Sequence, residues 1–171
     1  MNPIEAALRR LVVDMAAIGR RWAVVGGLAV SARAEPRTTR DVDVVVAVGT
    51  DVEAEETVHA LHRCGYRVWS VVEQEAAVRL ATARLSAPPG AGDGIIVDLL
   101  FASSGIEPEI VSAAEEIELV PELTVPVARL GYLLALKVLA RDDRERPQDW
   151  DDSAPYCARQ QRLTWTKRVR L

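Results

Sequence analysis

Apolar residues recur at Ile4, Leu8, Leu11, Val12, Met15 and Ile18, the three-and-four spacing of a helix buried along one face. Gly19 is the expected stop. The period then changes. Trp22–Val25 predicts a short buried strand running into Gly26-Gly27, and Leu28–Ala34 a short helix ended by Pro36. Val42–Val48 is the clearest strand, dense in β-branched residues. Val52–Cys64 returns to helical spacing, with Gly65 as its C-terminal cap.

Further along, Tyr66–Val72 and Ala77–Leu85 predict two strands joined through Glu73–Ala76. Pro88–Gly94 reads as a turn by composition, and Ile95–Phe101 as another buried strand. Pro108–Glu116 predicts a helix. Ile117–Val127, with Pro121 and Pro126, predicts an edge strand or extended connection. Arg129–Arg141 has the pattern of a helix, and Pro147 suits the start of a last one. Helices alternating and then interspersed with several strands predict an α+β (α/β-like) fold, a mixed twisted sheet flanked by helices with a small C-terminal helical part. The core is placed at residues 1–128 and the C-terminal helical segment at 129–171.

Bulk properties narrow the class. At 171 residues, 49% hydrophobic and 27% charged, the chain suits one soluble domain with enough core to fold without staples. Its two cysteines, Cys64 and Cys157, form no CxxC, so neither a disulfide framework nor a zinc knuckle is expected. The N-terminus lacks a signal-peptide pattern, and no apolar run approaches a membrane span. A cytoplasmic protein with no membrane partner is the expectation. The net charge of −4 hides an asymmetry. Tyr156–Leu171 holds five basic residues and no acid, and without those five, 16 basic residues stand against 25 acids. Ser153–Leu171 turns basic and also loses apolar periodicity.

Three short pieces carry the candidate chemistry. Gly26-Gly27 closes a strand ahead of a helix, where a missing Cβ and helix N-terminal N–H groups would let phosphates approach; a plain tight turn is the other reading. Asp41 and Asp43 are two apart on a strand, so both project from one face. Two such carboxylates repel unless a cation offsets them, and Mg²⁺ bound to carboxylates and substrate phosphates is the natural one. Asp98 sits between Val97 and Leu99 in an apolar strand. It is either a third acid, as general base or metal ligand, or the partner of an arginine.

Secondary candidates are weaker. Arg37 and Arg40 precede the acid pair and could grip phosphate, or pair with the aspartates, or simply solvate a loop. Lys137 could snorkel or reach nucleotide phosphates. His59 and His62 have a metal-compatible spacing without a third ligand, and Ser103-Ser104-Gly105 reads as a turn rather than a nucleophile.

Taken together, VVGGLAV, RTTRDVDVVV and IIVDLLF resemble the nucleotidyltransferase superfamily typified by DNA polymerase beta. The resemblance is closer to bacterial AbiEii-like nucleotidyltransferases, which include toxins of toxin–antitoxin pairs. There a later helix carries Lys-x-x-Ala-x-x-x-Arg before an acid-rich turn. This sequence has Lys137, Ala140, Arg141 and Arg144, then Asp149, Asp151 and Asp152. The resemblance covers roughly residues 22–152 and implies a nucleotidyltransferase fold. It also implies that Gly26 and Gly27 hold nucleotide phosphates, that Asp41, Asp43 and Asp98 bind Mg²⁺ (or Mn²⁺), and that Lys137 and Asp149 act in catalysis. The general base stays open between Asp98 and Asp149. A nucleoside triphosphate would be the donor. The acceptor would be an RNA such as the tRNA 3′ end, or a small hydroxylated molecule as in aminoglycoside-modifying relatives, and a cognate antitoxin is an implied partner. A catalytically inactive nucleotide-binding relative is the remaining alternative.

Overall fold

The computed structural model describes residues 2–34, 38–74, 79–102 and 104–139. Seven strands form one mixed sheet in the order β3-β4-β5-β2-β1-β7-β6, with five helices packed against it. The elements are α1 (Pro3–Ile18), β1 (Trp22–Val24), α2 (Gly26–Arg33), β2 (Asp41–Val46), α3 (Asp51–Arg63), β3 (Arg67–Gln74), β4 (Arg79–Ser86), β5 (Ile96–Leu100), α4 (Glu107–Ser112), β6 (Glu115–Val120), β7 (Leu123–Val127) and α5 (Leu130–Leu139).

Local chemistry explains most boundaries. The Asn2 side chain accepts the Ile4 N–H and opens α1, while Gly19, at φ 72°, closes it in the left-handed conformation that glycine tolerates. Thr50 opens α3 in the same way by accepting the Glu53 N–H. Ala7, Leu8, Leu11 and Met15 put one face of α1 into the core, where the helix packs on β2, whose valines are all buried, and on α3. β2 is central. It runs antiparallel to β1 (Val24↔Val44) and parallel to β5 (Asp43↔Asp98). β4 continues antiparallel from β5, and β3 from β4.

Four boundaries differ from the sequence expectation. β3 runs on through Glu73 and Gln74, which the sequence pattern assigns to the connection. The helix predicted from Leu28 begins at Gly26, so the glycine pair forms its first turn rather than preceding it. The helix predicted over 108–116 stops at Ser112, and Glu115 and Glu116 open β6 instead. Glu115 is held there by Arg33 at 2.8 Å and Arg129 at 3.0 Å, cross-chain ion pairs that no local pattern announces. The single extended segment predicted over 117–127 is the bulk of a hairpin, β6–β7, turning through Glu122 at φ 61°. Without glycine at that position the usual hairpin signal is missing. β1 reaches β7 only at Val127, so the proline-bearing middle of β7 is bordered by a strand on one side alone.

α5 lies against α2, burying Leu133 and leaving Leu130, Leu134, Val138 and Leu139 exposed. No helix among the described residues is long and apolar enough to cross a membrane.

Candidate active site

The acid pair sits where the strand pattern put it. Asp41 and Asp43 are half-buried on one face of β2, between inward Val42 and Val44 at 0% exposure. Parallel pairing of β2 with β5 sets Asp98 beside Asp43 in register, and paired residues share a face. Three carboxylates separated by up to 57 positions in sequence therefore occupy one patch of sheet.

Asp43 is tied to the glycine turn from the other side. Its backbone carbonyl accepts the Val25 N–H at 2.9 Å, and its carboxylate lies against the first turn of α2, where the nearby Gly27 N–H favours its charged form. α2 has no side-chain cap of its own at Val25, so this remote carboxylate faces the orphan donors of its first turn. Gly26, at φ 61°, packs directly on the Asp43 carboxylate, and any Cβ there would collide with it. A Cβ on Gly27 would lie 2.8 Å from the Thr39 hydroxyl. The glycines are thus required for close approach of backbone to an acid as well as for an open first turn.

The electrostatics of this patch are strained. Burial, then the neighbouring charges of Asp98 and Asp41, push the Asp43 carboxyl up to about 6, with the Gly27 N–H and Arg84 acting the other way. Asp98, 7% exposed, is gripped by Arg84, its direct partner across β4 and β5. Arg84 Nε donates to Oδ1 at 2.8 Å and Nη2 to Oδ2 at 2.7 Å. Of the readings offered for Asp98, the pairing with an arginine is the one observed, and the residue also stands in register with Asp43 in the acid patch.

Asp41 and Asp43 supply hard oxygens on one strand face of the kind a divalent cation takes, while the raised Asp43 carboxyl owes most to burial, then to Asp98 and Asp41. The pair fits the group. Asp98 would join it only by giving up the Arg84 fork, and among the described residues no three His, Cys, Asp or Glu side chains are gathered tightly enough to hold a metal.

The remaining predicted residues fall differently. Arg40 is exposed just before β2, and Lys137 is exposed on α5; no described hydrogen bond or ion pair joins either to the acids. Arg37 and Asp149 lie outside the described residues, as do Arg141, Arg144 and the segment after Pro147. His62 is exposed, its Nδ1 3.1 Å from the Tyr66 carbonyl. Ser104 donates its hydroxyl to buried Glu107 at 2.8 Å, consistent with a turn. Arg84 is the residue that sequence reasoning missed. Its only trace is the alternation Thr82, Arg84, Ser86 between the apolar positions of β4.

A family model described as nucleotidyl transferase AbiEii toxin, type IV toxin–antitoxin system, matches residues 8–154. Among solved structures, the fold is similar to that of the lincosamide antibiotic adenylyltransferase LnuA in its lincomycin-bound form. That match has 13% identity and a TM-score of 0.50, covering 75% of this chain and 82% of LnuA. It is also similar to TM1012 of Thermotoga maritima, described as a candidate nucleotidyltransferase, at 16% identity and TM-score 0.55, covering 77% and 80% of the two chains. No curated protein sequence matches the chain.

Proposed function

The chain belongs to the AbiEii family of nucleotidyltransferases, and we propose that it moves a nucleoside monophosphate from a nucleoside triphosphate to an acceptor hydroxyl with the aid of Mg²⁺ or Mn²⁺. The observation that carries this reading is the packing of Asp43 onto Gly26 and Gly27, which sets the acid pair against the first turn of a helix.

Asp41 and Asp43 would hold the cation, which when bound offsets phosphate charge and draws electron density from the reacting phosphorus. The first turn of α2 presents backbone toward the same place, with Gly27 already facing Asp43, so further donors of that turn are left to meet phosphate oxygens. The acceptor hydroxyl attacks the α-phosphorus and pyrophosphate leaves. Asp98 is placed to take the hydroxyl proton once Arg84 releases one of its oxygens, and until then the fork keeps that carboxylate occupied. Lys137 and Asp149 are proposed as further phosphate and acid–base groups.

Two acceptors remain in view. The family description is that of a toxin of a type IV toxin–antitoxin system, and an RNA acceptor such as tRNA is the target we propose for that role. The similarity to LnuA supports a small hydroxylated acceptor, through fold alone.

The test is a labelled-transfer assay. Protein, Mg²⁺ and each α-³²P nucleoside triphosphate are incubated with bulk tRNA or with an aminoglycoside and lincosamide panel. Label should appear on one acceptor class and fall to background in Asp41→Ala/Asp43→Ala. Absence of label on every acceptor would sink the reading.

A further inference from the structure

On the sheet face that carries the acids, an aromatic and cationic surface lies at the far edge. Two cross-strand rows connect them. One runs Asp43, Asp98, Arg84, Ser70 through β2, β5, β4 and β3, and the other Asp41, Ile96, Ser86, Arg67 through the same strands. Residues paired across strands share a face, so Arg67 and Arg84 look out on the same side as Asp41 and Asp43. At Trp69 the ladder slips: Val68 and Ser70 face the adjacent residues Leu85 and Arg84, leaving Trp69 as the extra residue of a bulge. The Arg67 guanidinium stands 5.8 Å from the centre of the Trp69 ring, which places both side chains together on that face.

Trp69 is 65% exposed, and it is the only aromatic residue among the exposed large hydrophobics of the described residues. A tryptophan left in water on an edge strand, beside an arginine, offers one large π-face for stacking. Three strand spacings, about 14 Å, separate its strand from β2.

The side on which it lies decides what it would bind. Gly26, Gly27 and α2 follow β1, on one flank of β2, so the donor's phosphates belong to that flank. β5, β4 and β3 extend from the opposite flank, which leaves them to the acceptor. Both rows carry carboxylates only at the catalytic end, with arginines beyond. A polycationic sugar would meet Arg67 as a like charge, Arg84 being already paired with Asp98, whereas a nucleic-acid strand would stack a base on Trp69 and set a phosphate on Arg67.

We propose that Trp69 and Arg67 form a platform that binds the single-stranded end of a nucleic-acid acceptor and leads its terminal hydroxyl past the Arg84–Asp98 pair toward the acids. This rests on the nucleotidyl-transfer reading above for the role of the strand, though not for its binding.

The test measures fluorescence anisotropy of a dye-labelled short single-stranded oligoribonucleotide, its deoxy counterpart and its duplex, against the full-length wild type, Trp69→Ala, Trp69→Phe and Arg67→Ala. Binding of each nucleoside triphosphate with Mg²⁺ is measured in parallel. Trp69→Ala should weaken single-strand binding on the order of ten- to a hundredfold, with Trp69→Phe recovering most of it and triphosphate binding unaffected. Arg67→Ala should flatten the salt dependence of single-strand binding by about 0.7 in log–log slope. The ribo and deoxy arms show which strand is preferred. Wild-type protein without affinity for either single strand, or Trp69→Ala binding them as wild type does, overturns the platform. The two readings fail separately. Trp69-dependent strand binding with no label transferred removes the enzyme reading and keeps the platform. Label transfer to nucleic acid at an undiminished acceptor kcat/KM in Trp69→Ala removes the platform alone.

Discussion

Arg84 and Asp98 face each other across the β4–β5 ladder and are joined by two hydrogen bonds, at 2.8 and 2.7 Å. One end of this pair is half in solvent and the other is almost wholly buried, with side-chain exposures of 45% and 10%. The fork neutralises one of three clustered carboxylates from within the protein. Removing either partner is therefore unequal in its effects.

Arg84→Ala leaves Asp98 buried without its cation and should destabilise the fold by about 1–3 kcal/mol. Asp98→Asn keeps a neutral side chain of the same shape and should cost less. The double variant should lose less than the sum of the two. Urea denaturation of the four proteins at pH 7 measures the coupling, and strict additivity would show that the fork contributes nothing.

Gly26→Ala places a Cβ against the Asp43 carboxylate at a φ of 61°, where side chains are strained. The expected outcome is a stability loss of about 1–2 kcal/mol, together with loss of transfer as Asp43 is pushed aside. Gly27→Ala would bring its Cβ 2.8 Å from the Thr39 hydroxyl and 2.9 Å from the Thr39 Cβ, so it should also cost stability, but by displacing Thr39 rather than Asp43 it should be milder on transfer.

Asp43 binds its proton more tightly in the folded protein than the ordinary value of 3.8, with its carboxyl at about 6. Between these values the native state holds more protons than the unfolded chain, so stability falls as pH rises from about 4 to about 6 and levels off above. The loss attributable to Asp43 is at most about 3 kcal/mol. Asp43→Asn should remove that slope. Melting curves at pH 4.5 and 7 in the absence of divalent ions, for both proteins, check the sign. With Mg²⁺ the wild type should gain more at pH 7 than at pH 4.5, because only the ionised carboxylate attracts the cation.

Asp14 offers a control remote from the acids. It is 5% exposed on α1 and accepts the Arg10 Nε at 2.7 Å, while Arg10 Nη2 reaches the Cys64 carbonyl at 2.9 Å. Asp14→Ala should cost about 1–3 kcal/mol through the lost bond and its orphaned partner. The kcat/KM for transfer should stay within about twofold of wild type at a temperature where the variant is folded. A large drop would mean that α1 positions the site.

Much of the architecture is written in short windows. The periodicity of α1, the valine run of β2 and the stop at Gly19 depend on residues within about four positions, and sequence reads them directly. The hairpin of β6 and β7 escaped because its turn uses Glu122 rather than glycine, and the 108–116 helix was overextended because Glu115 is claimed by Arg33 and Arg129. In the site, the common face of Asp41 and Asp43 follows from strand alternation alone.

By itself, then, the sequence determined where these residues stand: two acids on one strand face, a third acid inside an apolar strand, and a glycine pair at a strand-to-helix turn. Only the tertiary structure decided what each of them touches. Pairing of β2 with β5 set Asp98 beside Asp43, pairing of β5 with β4 delivered Arg84 to Asp98, and the β1–β2 junction laid the Asp43 carboxylate on the first turn of α2. The physical reason is that side-chain direction is fixed by the local backbone. A strand's partner and register are chosen by burial of both faces against residues distant in the chain.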